Sequence, residues 1–253
     1  DSLSSVSLEK LAINDYALEL DCTRVARLTN ITELELLTER CLNLHTLTAL
    51  KKLRLLKSDS ERILSFLPHF STLTYLKLYS RTFSPTIFVL EQLTTLKLHG
   101  ASLGSESFIP ITRLTNLAKL ILKKLSFPQA EPSEKMMQTL SSLTRLTYLD
   151  VGENHVNQVG LSHLCCLTHL KKLKIAGCQP ISSWPFPAHT KLSSVVLSGE
   201  GIGPETLSKQ TQLTSLRWRL GVFLTKNSLD PLVSLVHIKR LSMRASGLTD
   251  DKL

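Results

Sequence analysis

Apolar residues recur along this chain with one spacing, L-x-x-L-x-x-L-x-L, for example in residues 90–98, 143–151 and 167–175. The closing L-x-L has the period of two that is typical of a β-strand, with both apolar side chains on the same side. We call the first apolar residue of each such pair the marker. The markers are Leu11, Leu34, Leu53, Leu76, Leu96, Leu120, Leu149, Leu173, Val195, Leu216 and Leu241. They are 19 to 29 residues apart, which predicts a stack of short, similar units.

This pattern resembles the leucine-rich-repeat family, and the resemblance covers essentially the whole chain. The recurrent L-T-x-L, as in residues 28–31 and 93–96, is similar to the short intracellular type of repeat. Residues 160–178 are similar to the cysteine-containing type, and no narrower subfamily is assigned. The resemblance implies an α/β fold, a horseshoe-shaped solenoid with a parallel β-sheet on the concave side and irregular or short helical segments on the convex side.

The same resemblance sets the expected domain organisation. We expect residues 1–253 to form a single leucine-rich-repeat domain of about eleven repeats. Neither end carries an obvious polar capping repeat, and the chain stops within a repeat after Asp250 and Asp251. Because solenoids need capped ends, we expect the chain to be a fragment of a longer protein.

The repeat also predicts the turn after each strand and the positions of the two tryptophans. The residue five positions after the marker closes a turn, and Asn154 and Cys178 are suited to satisfying buried backbone groups there. Other repeats carry less suitable residues at this position, so we expect irregular turns. Trp218 takes an apolar strand position and is predicted to lie in the core. We expect Trp184 to be a packed loop residue.

Apolar residues three and four positions apart predict helices within residues 60–67 and 133–140. The two prolines of residues 185–187 exclude a helix there. The convex side is therefore expected to mix short helices with extended or 3-10 segments.

The positions at marker −1, +1 and +3 alternate with the apolar ones, so they are expected to face away from the core, onto the concave face. Of these 33 positions, 13 are Lys or Arg and three are Asp or Glu, a net charge of +10 against +9 for the whole chain. The charge excess is therefore predicted to lie on one surface, which indicates an anionic partner. The alternative is that these cations only keep solvent-facing strands soluble.

We expect this basic face to bind an acidic surface or segment of another protein, as the recognition arm of a larger scaffold, adaptor or sensor. The predicted partner-binding residues are Lys52, Arg54, Tyr75, Lys77, Tyr79, Lys97, His99, Lys119, Lys123, Lys172, Lys174, Arg217, Arg219, Arg240 and Arg244. RNA or DNA bound by the same face is the first alternative, since tyrosines among cations are suited to stacking on bases. A secreted effector or receptor ectodomain is the second.

No motif in the sequence indicates catalysis, because neither a phosphate-binding loop nor a nucleophile elbow is present. His163, Cys165, Cys166 and His169 have donor atoms suited to zinc, but their spacing is not that of a paired-cysteine knuckle. We expect at least one of these two cysteines to pack as a small apolar residue. The sequence therefore predicts no enzyme activity, no cofactor, no metal and no small-molecule substrate.

The cysteines and the hydropathy indicate where the protein works. The five cysteines are odd in number and do not cluster at the two ends, which favours reduced thiols and an intracellular location, cytoplasmic or nuclear. No apolar run reaches the length of a membrane-spanning helix, so no membrane insertion is expected. We expect a monomer.

Overall fold

The computed structural model describes the chain in segments. These are residues 8–14, 20–25, 30–37, 41–56, 64–81, 84–102, 108–125, 133–177, 184, 186, 191–199, 207–220, 230 and 232–245. The chain forms two compact units. Unit 1 consists of residues 1–121 and 125–129, and unit 2 of residues 122–124 and 130–253. The expectation of a single domain stays a prediction.

The strands of unit 1 are short and parallel. They are β1 (Lys10–Ile13), β2 (Leu20–Asp21), β3 (Glu33–Leu36), β4 (Cys41–Leu42), β5 (Lys52–Leu55), β6 (Tyr75–Tyr79), β7 (Thr95–His99) and the first three residues of β8 (Lys119–Lys123). Strands β1, β3, β5, β6 and β7 lie side by side in that order. A separate ladder, which the repeat pattern did not predict, pairs β2 with β4.

Unit 2 repeats the arrangement. Its strands are the last two residues of β8, β9 (Tyr148–Asp150), β10 (Lys172–Ala176), β11 (Ser194–Gly199), β12 (Ser215–Leu220) and β13 (Arg240–Ala245). Strands β9 to β13 are parallel neighbours in chain order. The predicted parallel strands are confirmed within each unit.

The markers set the register of the strands. Each predicted marker is the second residue of its strand. Leu34 stands opposite Leu53, and Leu173 stands opposite Val195. The side chains at marker and marker +2 point to the same side of the strand, and most of them are less than 3% exposed. They form the buried core together with apolar residues of the return segments, which are the stretches that connect each strand to the next.

Neighbouring repeats are joined two positions before the marker. In unit 1, the Thr74 carbonyl oxygen accepts the backbone N–H groups of Thr94, at 2.9 Å, and Thr95, at 3.0 Å. The Thr94 hydroxyl donates to the same oxygen at 3.1 Å. In unit 2, the Ser193 carbonyl oxygen accepts the N–H and the hydroxyl of Thr214 in the same way. The recurrent threonine therefore extends the backbone ladder with a side-chain bond.

The return segments mix helix types, as predicted. They contain α1 (Cys22–Val25), α2 (Ser133–Leu140), α3 (Gln158–Ser162) and the 3-10 helices Leu44–Thr46, Leu67–His69, Pro85–Val89, Ile109–Arg113 and His163–Cys166. Helix α2 confirms the prediction for residues 133–140. Residues 57–63, 185 and 187 lie outside the described residues, so the predictions for 60–67 and 185–187 are tested only in part.

The turn after the strand needs a left-handed residue at marker +4. Gly100 and Gly177 occupy this position with φ of 77° and 66°, and Lys124 and Glu153 occupy it with φ of 52° and 64°. Glycine adopts this region without steric cost, whereas a side chain costs about 1–2 kcal/mol. The fold therefore carries backbone strain at Lys124 and Glu153.

We expect Glu153→Gly to raise the free energy of unfolding by about 0.5–1 kcal/mol, because it relieves this strain. The exposed ion pair with Lys124, at 3.5 Å, contributes little against that gain. The matched control Gly177→Ala introduces the strain and should lower stability by about 1 kcal/mol. Urea unfolding followed by circular dichroism measures both, and a change of the unfolding free energy in the same direction for the two substitutions would contradict the interpretation.

Candidate partner-binding face

All the predicted partner-binding residues lie on strands, at marker −1, +1 or +3. We call the set of these three positions in each strand the outward strand face. Every predicted residue is exposed or half-buried, whereas the markers of β3 to β12 are buried. Within each unit, the structure therefore places the predicted side chains together on the side of the strands that faces away from the core.

In unit 1, the first cations of this face are paired with acids on the neighbouring strand. Lys52 Nζ donates to Glu33 Oε1 at 2.5 Å, and Arg54 Nη1 donates to Glu35 Oε2 at 3.2 Å. The hydrogen bond from Lys52 holds the pKa of Glu33 below its usual value. Strands β3 and β5 therefore neutralise part of their own charge.

The tyrosines of unit 1 lie against the next cations. The Arg54 guanidinium is 5.3 Å, and Lys97 Nζ 5.0 Å, from the centre of the Tyr75 ring. Lys77 Nζ is 4.9 Å from the centre of the Tyr79 ring, which stacks on His99 at 4.4 Å. Such contacts stabilise a cation by about 0.5–1 kcal/mol at exposed sites. The aromatic and basic side chains predicted for this face are therefore in direct contact with each other.

The contacts around Tyr75 shift the pKa values of this cluster. The hydrogen bond with Tyr75 raises the pKa of Arg54 above its usual value. Burial raises the pKa of Tyr75, but hydrogen bonds from Lys97 and Arg54 outweigh it, so the net shift is downward. Arg54 and Lys97 therefore both interact with the phenol group of Tyr75.

In unit 2, an acid that was predicted to face solvent is buried. Asp150 is 3% exposed, and its carboxylate lies 3.7 Å from Lys123 Nζ and 3.9 Å from Lys174 Nζ. The same carboxylate accepts the backbone N–H of Gly152 at 3.2 Å. The sequence rule placed both Asp150 and Gly152 on the surface. This is wrong, because Lys123 and Lys174 lie over the Asp150 carboxylate and Gly152 lies against Asp150 and Ala176.

Strands β10 to β13 form a basin of about 570 Å³ on unit 2. It is lined by Lys172, Lys174, Ser194, Val196, Ser215, Leu216, Arg217, Lys239, Arg240, Leu241 and Ser242. Five of these residues are Lys or Arg, and none is acidic or aromatic. The basin therefore differs from the first strands of unit 1, where each cation has a neighbouring acid.

Two lining residues depart from the sequence prediction. The marker Leu241 was expected in the core but is 51% exposed, because β13 pairs only with β12 among the described strands. Lys239 lines the basin although it is at marker −2, a position that does not belong to the outward strand face. Its adjacency to Arg240 in the sequence is the signal that could have pointed to it.

The adjacent cysteines lie on the surface. The 3-10 helix His163–Cys166 buries Leu164 and exposes both Cys165 and Cys166, so the prediction that one of them packs as an apolar residue is wrong. Their sulfur atoms are 4.0 Å apart. Partial burial, and next the neighbouring Cys166, raise the pKa of Cys165, which lowers the thiolate fraction at neutral pH. Among the described residues, no group of three or more His, Cys, Asp or Glu is arranged to hold a metal ion.

The tryptophans and the turn asparagine follow the predictions. Trp218 is 0% exposed, and Trp184 is half-buried with its ring 5.3 Å from that of Phe186. Buried Asn154 donates from Nδ2 to the carbonyl oxygens of Leu122, at 2.8 Å, and Val151, at 3.0 Å. Cys178 lies outside the described residues. In the described part of the chain, no helix has both the length and the apolar character needed to cross a bilayer.

Solved structures show the same fold. The chain is similar to an internalin from Listeria monocytogenes, with 22% identity and a TM-score of 0.62, over 90% of this chain and 66% of the internalin chain. It is also similar to a leucine-rich-repeat protein from Leptospira interrogans, with 18% identity and a TM-score of 0.61, over 98% and 69% of the two chains. The chain thus spans about two thirds of each of these proteins.

No protein-family model and no curated protein matches the sequence. The fold identification therefore rests on the strand register and on the structural similarity. By these two criteria the protein has the leucine-rich-repeat fold. The predicted family resemblance is confirmed at that level, without a subfamily.

Proposed function

We propose that this chain is a protein-interaction module whose outward strand face binds an acidic surface or segment of another protein. The observation that carries the proposal is that the lysines and arginines predicted for this face are all accessible on the described strands. An array of parallel strands offers many contact points at once, which suits a macromolecular partner. In this view the chain is the recognition arm of a larger scaffold, adaptor or sensor.

The charge pattern supports an anionic partner. In unit 1, Arg54 stands opposite Lys77, and Lys77 opposite Lys97. In unit 2, Arg219 stands opposite Arg244. Like charges directly opposite each other on parallel strands, about 4.8 Å apart, destabilise the sheet. An acidic partner would reduce this electrostatic repulsion, and the reduction would contribute to the free energy of binding.

The proposal is tested by reversing charge on the face. We expect the variant with Arg54→Glu, Lys77→Glu, Lys97→Glu and Lys119→Glu to bind a fluorescent Asp/Glu-rich peptide on the order of 100-fold more weakly than the unmodified chain. The control reverses Lys51, Arg113, Lys171 and Lys209, which are exposed but lie outside the outward strand face. Fluorescence anisotropy measures the affinity and circular dichroism the fold. Equal loss in both variants would show that net charge alone, and not this face, drives binding.

Nucleic acid is the competing partner, favoured by the Tyr79–His99 stack beside Lys77. Bases stack on such rings, and phosphate contacts make affinity fall steeply with salt. A labelled oligouridine RNA measured beside the acidic peptide at physiological salt separates the two. Tighter binding of the RNA would overturn the proposal of a protein partner.

We also propose that the protein works inside the cell. The five cysteines support this, because they are odd in number and do not cluster at the two ends, and Cys165 and Cys166 are exposed thiols of the kind that persists in reducing compartments.

A further inference from the structure

The basin on β10 to β13 has an ordered arrangement of donors. In one row across the strands, Lys172 stands opposite Ser194, Ser194 opposite Ser215, and Ser215 opposite Arg240. The row thus has a cation at each end and two hydroxyl groups between them. The next row places Lys174 and Arg217 on either side of Val196.

The lining of the basin is basic. Lys174 Nζ lies 3.9 Å from the Asp150 carboxylate, a distance at the limit of an ion pair, and Lys172 and Lys174 lie 5.6 Å and 5.7 Å from the centre of the Tyr148 ring. The lining contains five cations and no carboxylate. In contrast, the cations of β5 in unit 1 make direct hydrogen bonds to Glu33 and Glu35. An anion that enters the basin would therefore not have to displace a carboxylate from the lining.

We infer that this basin recognises a phosphoserine- or phosphothreonine-bearing segment of the acidic partner, an inference that rests on the proposed function. A phosphate group carries a charge of about −1.5 to −2 at neutral pH and three strong acceptor oxygens. Arginine side chains bind such a group with two parallel hydrogen bonds. Serine hydroxyls add neutral donors, so the row offers more donors than the two oxygens of a carboxylate can use.

The dimensions fit a short extended segment. Four parallel strands about 4.8 Å apart span roughly 14 Å, which corresponds to about four extended residues. The basin therefore accommodates one phosphorylated residue with its flanking residues. Single-stranded nucleic acid is the competing occupant, because Tyr148 stands opposite Lys172 at the edge of the basin and bases stack on such rings.

The test uses the full chain and two synthetic peptides. One peptide carries a single phosphoserine among acidic residues, and the other has glutamate in its place. We expect the phosphopeptide to bind about tenfold or more tightly than the glutamate peptide in anisotropy or calorimetry. Arg217→Gln with Arg240→Gln should weaken the phosphopeptide on the order of 100-fold, and the control Lys171→Gln with Lys209→Gln by less than about twofold. Both control lysines are exposed and outside the basin lining.

A second variant separates donor recognition from charge. Ser194→Ala with Ser215→Ala keeps the net charge, and it should weaken the phosphopeptide about tenfold while the glutamate peptide changes little. If both peptides bind equally, or if the serine variant affects them equally, the phosphate inference is wrong. The proposed function still stands in that case, provided that the unit 1 charge reversal weakens both peptides. If neither peptide binds while oligouridine RNA does, both proposals fail.

Discussion

Trp218→Ala is expected to lower the free energy of unfolding by about 3–5 kcal/mol, among the largest effects of a single substitution in this protein. Trp218 is the largest fully buried side chain among the described residues. It occupies marker +2 of β12, between Leu197 of β11 and Met243 of β13. Removing the indole leaves a cavity between two repeats, because the neighbouring strands are held in place by their backbone ladders and relax only in part.

Trp218→Phe is the matched control for this prediction. The indole Nε1 of Trp218 is buried without a hydrogen-bond partner, and an unsatisfied buried donor costs about 1–3 kcal/mol. Phenylalanine removes that donor while it keeps an aromatic ring in the same space. We therefore expect Trp218→Phe to cost no more than about 1–2 kcal/mol. Urea unfolding followed by circular dichroism measures both, and similar losses for the two variants would contradict the assignment of the effect to packing.

Asn154→Ala is expected to cost about 2–4 kcal/mol, because it leaves two carbonyl oxygens without their side-chain donor. Asn154 is 5% exposed, and its amide joins the Leu122 carbonyl of the preceding repeat to the Val151 carbonyl of its own. The bond to Leu122 therefore connects two strands that are distant in sequence. No other described residue at marker +5 is an asparagine or a cysteine.

Thr94→Val is the control for the asparagine prediction. The Thr94 hydroxyl also donates to a carbonyl of the preceding repeat, that of Thr74. That carbonyl, however, already accepts two backbone N–H groups, and the bond is exposed. We expect this substitution to cost less than about 1 kcal/mol. A loss at Thr94 as large as that at Asn154 would show that burial does not decide the value of these inter-repeat bonds.

The strand register was predictable because it depends on a local rule. The period of two in each L-x-L pair sets which side chains share a face, and the repeat then places every marker at the same position of its strand. The predictions of Leu34, Leu173 and Trp218 as core residues follow from this rule and are confirmed. Leu11 and Leu241 are the exceptions among the markers, because burial of a marker requires neighbours on both sides of its strand.

The candidate site was predictable only as a list of outward positions. The alternation of the strand assigned Arg54, Lys77 and Arg217 to one face, but it contains no information on which cations have partners. Glu33 and Glu35 are acids of the same face, and only the parallel register brings them opposite Lys52 and Arg54. Asp150 was counted as a surface charge, although side chains from both neighbouring strands bury it.

The sequence by itself determined the repeat, the parallel strands and the core positions, and it identified which cations are at outward strand positions, because each of these follows from spacing along the chain. The tertiary structure decided how that charge is distributed. Cross-strand neighbours are about 20 or more residues apart in sequence, so whether a cation meets a carboxylate, a tyrosine or another cation depends on three-dimensional register. In unit 1 the register brings cations next to carboxylates and tyrosine rings. In unit 2 it gives the basin on β10 to β13 a lining that contains cations and serine hydroxyls.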